Sequence, residues 1–308
     1  MRLLRGRERS LPFHTGWRRF SRRWNPRQPL EITQNFVILR TLPAAFDGLR
    51  VAQLSDIHHG LFLPLPAVER AVEAANALGA DLIALTGDFV TFSPDYVRPM
   101  ARALSRLRAP MGVFAVLGNH DYRAGADLVA RELRRAGINV LRNTHTALKR
   151  GSDRLWLVGV DDLWYNCDLK RALRGVPRGA PTVLLSHNPA IIGQAARLGL
   201  DLVLSGHTHG GQIRLPVLGS VYRRRRYTIG WDRLHDTQIY VCRGLGKSIV
   251  PIRIGCPPEI ALLQLLHGRK AAPHWPLQGQ SDGPVPPGAG RHLPFRIPGC
   301  EPRAPGRA

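Results

Sequence analysis

The sequence is short of cysteine, of acidic residues and of long apolar runs. Its four cysteines, Cys167, Cys242, Cys256 and Cys300, lie far apart and form no C-x-x-C pair. That spacing excludes a disulfide framework and a zinc-finger core, and it fits a reducing compartment. No stretch approaches the ~18 consecutive apolar residues of a membrane-spanning helix. Arg22 and Arg23 stand paired as in a twin-arginine export signal, but the NPRQPLEITQN that follows lacks an apolar segment, so export is not expected. H-E-x-x-H does not occur, and the one G-x-S-x-G match, GQSDG at 279–283, lies in the proline- and glycine-rich C-terminal stretch and not between a strand and a helix, so serine hydrolases and zincins lose their main handles. Aromatic residues make up 7% of the chain and are scattered among the arginines. No base-stacking platform for single-stranded nucleic acid is evident.

What the chain has in excess is positive charge. Asp and Glu number 22 against 44 Lys and Arg, a formal charge of +22. Residues 1–27 alone hold nine arginines and one glutamate. Residues 1–28 read as a flexible basic arm, drawn to anionic lipid or nucleic acid by sequence-independent electrostatics, or as arginine-rich composition with no partner. Residues 271–308 place nine prolines and six glycines in 38 positions and are expected to be a disordered tail. Between them, residues 29–270 have the length of one large domain, and the chain's 44% hydrophobic content fits a globular core.

In that domain short apolar runs alternate with helical patterns. Strands are predicted at 36–40, 50–55, 81–86, 112–117, 154–160, 182–186, 201–205, 238–243 and 260–266, and helices at 67–78 and 126–137. Alternation of this kind predicts an α/β layered fold, and the later run of strands suggests a second sheet of mixed pairing.

The residues directly after these strands carry the chemistry. Asp56 and His58 follow the second strand, and Gly87-Asp88 the third. Gly118-Asn119-His120-Asp121 follows the fourth. His187 follows TVLLS, and Gly206-His207-Thr208-His209 follows DLVLS. Carboxyl ends of strands are where sites assemble in open α/β sheets, so five segments are expected to converge on one rim. Asp56, His58, Asp88, Asn119, His187, His207 and His209 form a nitrogen- and oxygen-donor set without thiolate, suited to Mn, Fe, Zn or Co. They exceed the needs of one tetrahedral ion. One shared carboxylate would let them serve two divalent ions roughly 3.5–4 Å apart, the arrangement that clamps a phosphoryl group. Gly87, Gly118 and Gly206 precede donors where the backbone is expected to turn sharply.

The blocks SDIHHG, TGDFV, LGNHDY, LSHNP and SGHTHGGQ resemble the signature of the calcineurin-like metallophosphoesterase superfamily across residues 49–266. GHTHGGQI is similar to a branch of membrane-associated bacterial phosphoesterases, some of which cleave UDP-2,3-diacylglucosamine. The resemblance implies a four-layer sandwich of two mixed β-sheets flanked by helices. It implies one ion on Asp56, His58 and His209, a second on Asn119, His187 and His207, and Asp88 bridging both. A hydroxide shared by the ions would then attack phosphorus. His120 would stand beside the metals and protonate the leaving oxygen, and Asp121 would orient it or turn the chain. One departure is informative. Phosphoprotein phosphatases of this superfamily carry Asp-Arg-Gly where this chain has Thr91-Phe92-Ser93, so their phosphate-gripping arginine is missing.

Other residues are weaker candidates. Arg223, Arg224, Arg225 and Arg226 form a run suited to a phosphate-rich or lipid headgroup, or to a solvated loop. His59 reads as an exposed neighbour of the site or a substrate contact, and Trp164 and Tyr165 as packing residues or as stacking surfaces lining the rim. Asn188 and Gln212 stand beside donors and are candidates for orienting imidazoles. The function expected is hydrolysis of a phosphodiester or pyrophosphate, on a lipid-linked or nucleotide-sugar substrate, by a cytoplasmic enzyme peripheral to the inner face of a membrane. The alternatives are a nuclease and a polyanion-binding protein with a vestigial site. No protein partner is implied.

Overall fold

Strands covered on both faces must bury both of their side-chain sets, and the apolar residues of this chain do so with a period of two. The computed structural model describes residues 30–215, 219–220, 227–248 and 250–268. The expected basic arm, the expected tail and the run Arg223–Arg226 lie outside them. In chain order the described strands are β1 (Glu31–Leu39), β2 (Leu49–Leu54), β3 (Leu82–Thr86), β4 (Val113–Val116), β5 (Asn139–Val140), β6 (Thr144–Arg150) and β7 (Asp153–Gly159). Then come β8 (Thr182–Leu185), β9 (Leu202–Ser205), β10 (Arg214–Leu215), β11 (Gly219–Ser220), β12 (Gly230–Leu234), β13 (Thr237–Val241) and β14 (Glu259–His267). The α-helices are α1 (Leu65–Ala77), α2 (Val97–Leu104), α3 (Asn119–Arg135), α4 (Leu169–Ala172) and α5 (Ile192–Arg197).

Two six-stranded sheets form, in the orders β1-β14-β2-β3-β4-β5 and β12-β13-β9-β8-β7-β6. Both are mixed. In the first, β14 runs antiparallel to β2, while β2, β3 and β4 are parallel. In the second, β13, β9, β8 and β7 are parallel, and β12 and β6 are antiparallel edges. Leu82 and Ala84 of β3 face the other sheet, in a core shared with Val183 and Leu185 of β8 and Leu202 and Leu204 of β9. Ile83 and Leu85, the alternate residues, face outward and pack with Val68, Val72, Met100 and Val129 of α1, α2 and α3. Leu184 and Val203 do the same on the far side, against Leu169, Ile192 and Ala195 of α4 and α5. Three apolar interiors therefore separate four layers, helix, sheet, sheet and helix, as the motif resemblance implied. Each fully buried Leu or Val contributes about 1.5–3 kcal/mol relative to exposure.

The helix expected at 126–137 starts earlier, at Asn119, and breaks its regular geometry at Gly125 (φ 109°). The missed α2 contains Pro99, and the missed β6 and β12 are half-exposed edges. The parallel strands of the two sheets meet at their carboxyl ends. Gln53 Nε2 on β2 donates to Ser205 O on β9 at 2.9 Å, joining the sheets directly beneath the site.

Candidate metal centre

Five of the seven donor residues named from the sequence hold left-handed backbone: Asp56 (φ 49°), His58 (48°), Asp88 (56°), His207 (72°) and His209 (51°). Non-glycine residues rarely adopt this conformation, and it clusters at functional sites because surrounding structure must hold it in place. Two glycines expected to turn the chain act differently. Neither Gly118 nor Gly206 has positive φ. A Cβ on Gly118 would land on the Asp88 carboxylate, and one on Gly206 would land on Ser55 Oγ and Asp56 Oδ2. They are required for close approach.

All seven side chains come together. His58 Nε2 lies 3.1 Å from His209 Nε2 and 3.3 Å from Asp88 Oδ2, and His209 Nε2 lies 3.4 Å from Asp56 Oδ1. On the other side, His187 Nε2 lies 3.1 Å from Asp88 Oδ2. His207 Nδ1 lies 3.0 Å from Asn119 Oδ1 and 3.3 Å from His187 Nε2. Asp88 thus stands between two groups of donors. Except for His207, these residues are buried.

The electrostatics ask for a cation. Lone-pair atoms of four imidazoles, two carboxylates and an amide face one another, and their repulsion in a water-poor site is relieved only by positive charge. Burial opposes charge on His187, yet Asp88 and Asp56 outweigh it and push its imidazole up to about 10. Burial would raise Asp88 too, but His187 and His58 hold its carboxyl well below the usual range. His209 moves the other way: burial, His58 and Arg253 depress it well below an ordinary histidine. One proton drawn to His187 is a weak substitute for divalent charge, and the nitrogen–oxygen donor set fits such ions.

His120 sits at the edge of this cluster, its ligand-capable nitrogen within 4.8 Å of those of His58 and Asp88. Its Nδ1 lies 2.7 Å from Thr91 O, which can only accept, so Nδ1 carries the hydrogen and Nε2 is left free for proton exchange. Burial lowers its pKa and keeps the ring neutral near pH 7.

Asp121 does not orient His120. Its carboxylate accepts the backbone N–H groups of Gly118 (2.9 Å), Asp88 (2.9 Å) and Phe89 (2.8 Å), tying the start of α3 to the Asp88 turn. Asp121→Asn turns an NH2 group against these donors. We expect a loss of about 1–3 kcal/mol in urea unfolding, with weaker metal retention because the Asp88 turn loosens.

Other expectations are corrected by hydrogen bonding. His59 is not exposed: it is 5% accessible, with Nδ1 on Leu63 O and its ring against Tyr96. Asn188 and Gln212 orient no imidazole. Asn188 Oδ1 accepts from Ala190 N, and Gln212 bridges Val250 O and Ser248 N. Backbone carbonyls do that work, Thr86 O for His187 and Thr91 O for His120. Trp164 and Tyr165 are exposed, with Trp164 edge-on to His207 at 4.8 Å and Tyr165 stacked on Tyr122 at 4.3 Å. Sequence reasoning missed Arg253, a fully buried guanidinium whose Nη2 lies 3.2 Å from His209 Nδ1. Its flanking isoleucines gave the appearance of an ordinary solvent-facing charge.

Comparison with known proteins assigns the chain to a family. Residues 49–211 match the calcineurin-like phosphoesterase family. The chain is 33% identical over 225 residues to phosphodiesterase YaeI of Escherichia coli, covering 70% of this chain and 82% of that one. It is 32% identical over 244 residues to the uncharacterized metallophosphoesterase YkuE of Bacillus subtilis, covering 77% and 85%. A transmembrane protein with metallophosphoesterase domain from Danio rerio is 31% identical over 256 residues, which span 78% of this chain but 58% of that protein. The chain belongs to the calcineurin-like metallophosphoesterase family, whose members are divalent-metal-dependent phosphoester hydrolases.

Proposed function

We propose that this chain hydrolyses a phosphodiester or pyrophosphate with two divalent ions, one held by Asp56, His58 and His209 and the other by Asn119, His187 and His207, with Asp88 shared. The observation that carries the reading is the position of Asp88 Oδ2, 3.3 Å from His58 Nε2 and 3.1 Å from His187 Nε2. One carboxylate oxygen serves both donor groups. When bound, such ions supply Lewis acidity at phosphoryl oxygens and lower the pKa of the attacking water.

The chain's own residues do the rest. Asp88, Asn119 and His207 line one cavity, where a phosphoryl group would meet the donors. His120 Nε2, unprotonated in the neutral ring, would first take up a proton from solvent and then hand it to the departing oxygen. The N-terminal amides of α3 add positive dipole: His120 N donates to Asp88 Oδ1 at 2.9 Å and fixes the shared carboxylate. Phe92, not a cation, lies beside His120, with ring centroids 5.1 Å apart. That favours a diester or pyrophosphate over a phosphoprotein. A lipid-linked or nucleotide-sugar substrate such as UDP-2,3-diacylglucosamine, met at the inner face of a membrane by a peripheral cytoplasmic enzyme, agrees with the net charge of +22. No described helix is long and apolar enough to cross a membrane.

Chelation is expected to abolish turnover of bis(p-nitrophenyl) phosphate, and added Mn2+ to restore it. Asn119→Ala should fall by about 100-fold or more in kcat, with p-nitrophenyl phosphate, UDP-diacylglucosamine and single-stranded DNA assayed alongside to separate substrate classes. Wild-type turnover in Asn119→Ala would refute the donor assignment.

A further inference from the structure

The same pocket has a feature that the donor cluster does not explain. Asp88, Asn119, His120, Phe92, Trp164 and Arg123 all line one cavity of about 330 Å3. Phe92 and Trp164 are 59% and 51% exposed. They come from different sheets, Phe92 from the loop after β3 and Trp164 from the loop after β7. Each lies against a different histidine, Phe92 against His120 at 5.1 Å and Trp164 against His207 at 4.8 Å. His120 belongs with the His58 and Asp88 group, and His207 with the His187 and Asn119 group. The two rings therefore flank the donor cluster, each beside one half of it. Half-exposed rings gain from whatever planar or apolar surface covers them. Arg123 is the one Lys or Arg among the described lining residues, and its side chain is exposed.

We propose that Phe92 and Trp164 are specificity residues, and that the pocket selects phosphodiesters carrying planar ring substituents, aryl or nucleoside. The proposal rests on the phosphodiesterase reading above and names its substrate class. Phe92 lies against His120 on one side of the donor cluster, and the departing substituent is placed on Phe92. The substituent retained on phosphorus lies on Trp164, and Arg123 faces the phosphate charge. A ring contact of this kind is worth about tenfold in affinity.

Calorimetric titration of the full chain with diphenyl phosphate and dimethyl phosphate tests this without turnover. With about tenfold from each ring, the wild type should bind the diphenyl compound about a hundredfold more tightly. That ratio should fall about tenfold in Trp164→Ala and return in Trp164→Phe, which restores a planar ring. Turnover gives a second readout. Bis(p-nitrophenyl) phosphate and methyl p-nitrophenyl phosphate share a leaving group and differ in the retained substituent. The ratio of their kcat/KM values should drop about tenfold in Trp164→Ala, through KM. Ring preference absent from the wild type, or unchanged in Trp164→Ala by both measures, overturns the proposal. A wild type that shows the preference in binding but cleaves neither diester upholds the pocket's selectivity and refutes the hydrolase reading instead.

Discussion

Replacing Asp88 by asparagine should reduce turnover at least about a thousandfold while leaving the fold intact. Asparagine has the same shape, and its amide oxygen can still accept His120 N, the bond that Asp88 Oδ1 makes at 2.9 Å. The other oxygen is where the change falls. Asp88 Oδ2 faces His58 Nε2 and His187 Nε2, and an NH2 group there donates to both nitrogens and cannot ligate. The substitution also removes a negative charge from the middle of a buried cluster. Loss of a single stabilising donor typically costs about 100- to 1,000-fold in kcat, and this carboxylate is shared by both proposed ions. Elemental analysis at fixed free metal should show bound metal falling from two ions per chain to one or fewer. Thermal melting of the metal-free protein at neutral pH should fall, because the pairing of the Asp88 carboxylate with His187 outweighs its desolvation and is lost with the charge. If the asparagine variant kept both ions and most of its turnover, the shared-carboxylate arrangement would be wrong.

The donor residues were legible because each follows an apolar run whose length and β-branching mark a buried strand. Leu82–Thr86 and Leu202–Ser205 are fully buried strands, and Asp88 and His207 lie two residues beyond their ends. Local pattern therefore located the side chains, and the rule that parallel strands share a carboxyl edge brought them together. The edges of the sheets were harder to read. In β6, THTALKR, only Leu148 is buried, so no clean alternation marks the strand. Pro99 within α2 hides a helix whose buried face is Val97, Met100, Ala101 and Leu104. Long-range hydrogen bonds were not legible at all. Sequence proximity suggested Asp121 for His120 and Asn188 for His187, whereas the imidazoles bond to Thr91 O and Thr86 O on other segments. A carbonyl oxygen carries no residue-specific signal, so nothing in the spacing could have named it.

Arg253 is the sharpest inversion of pattern, and its removal should produce the largest loss of stability. In the segment Ile252-Arg253-Ile254 the isoleucines are 50% and 45% exposed while the arginine is 2% exposed. The guanidinium is buried because backbone carbonyls surround it. Nε donates to Gly246 O at 2.8 Å, Nη1 to Cys256 O at 3.2 Å, and Nη2 to Arg243 O at 2.7 Å and Gly244 O at 3.2 Å. These carbonyls belong to the loop between β13 and β14. The loop in turn lies on the site, since Gly246 N donates to Asp56 O at 2.7 Å and Gly244 leaves no room for a Cβ beside Asp56. Arg253→Met keeps much of the side-chain volume but leaves four carbonyls without this donor. Each buried polar group left unmade costs about 1–3 kcal/mol. Some water entry and loop relaxation will offset the sum, so we expect a net loss of about 3–5 kcal/mol in urea unfolding of the metal-loaded protein. Arg253→Lys should fall between the wild type and the methionine variant, because a point ammonium cannot span carbonyls arranged around a planar fork. Metal affinity should follow the same ranking, since Asp56 and His209 both rest on this loop. A methionine variant as stable as the wild type would mean that the carbonyls find other donors and that the buried guanidinium is dispensable.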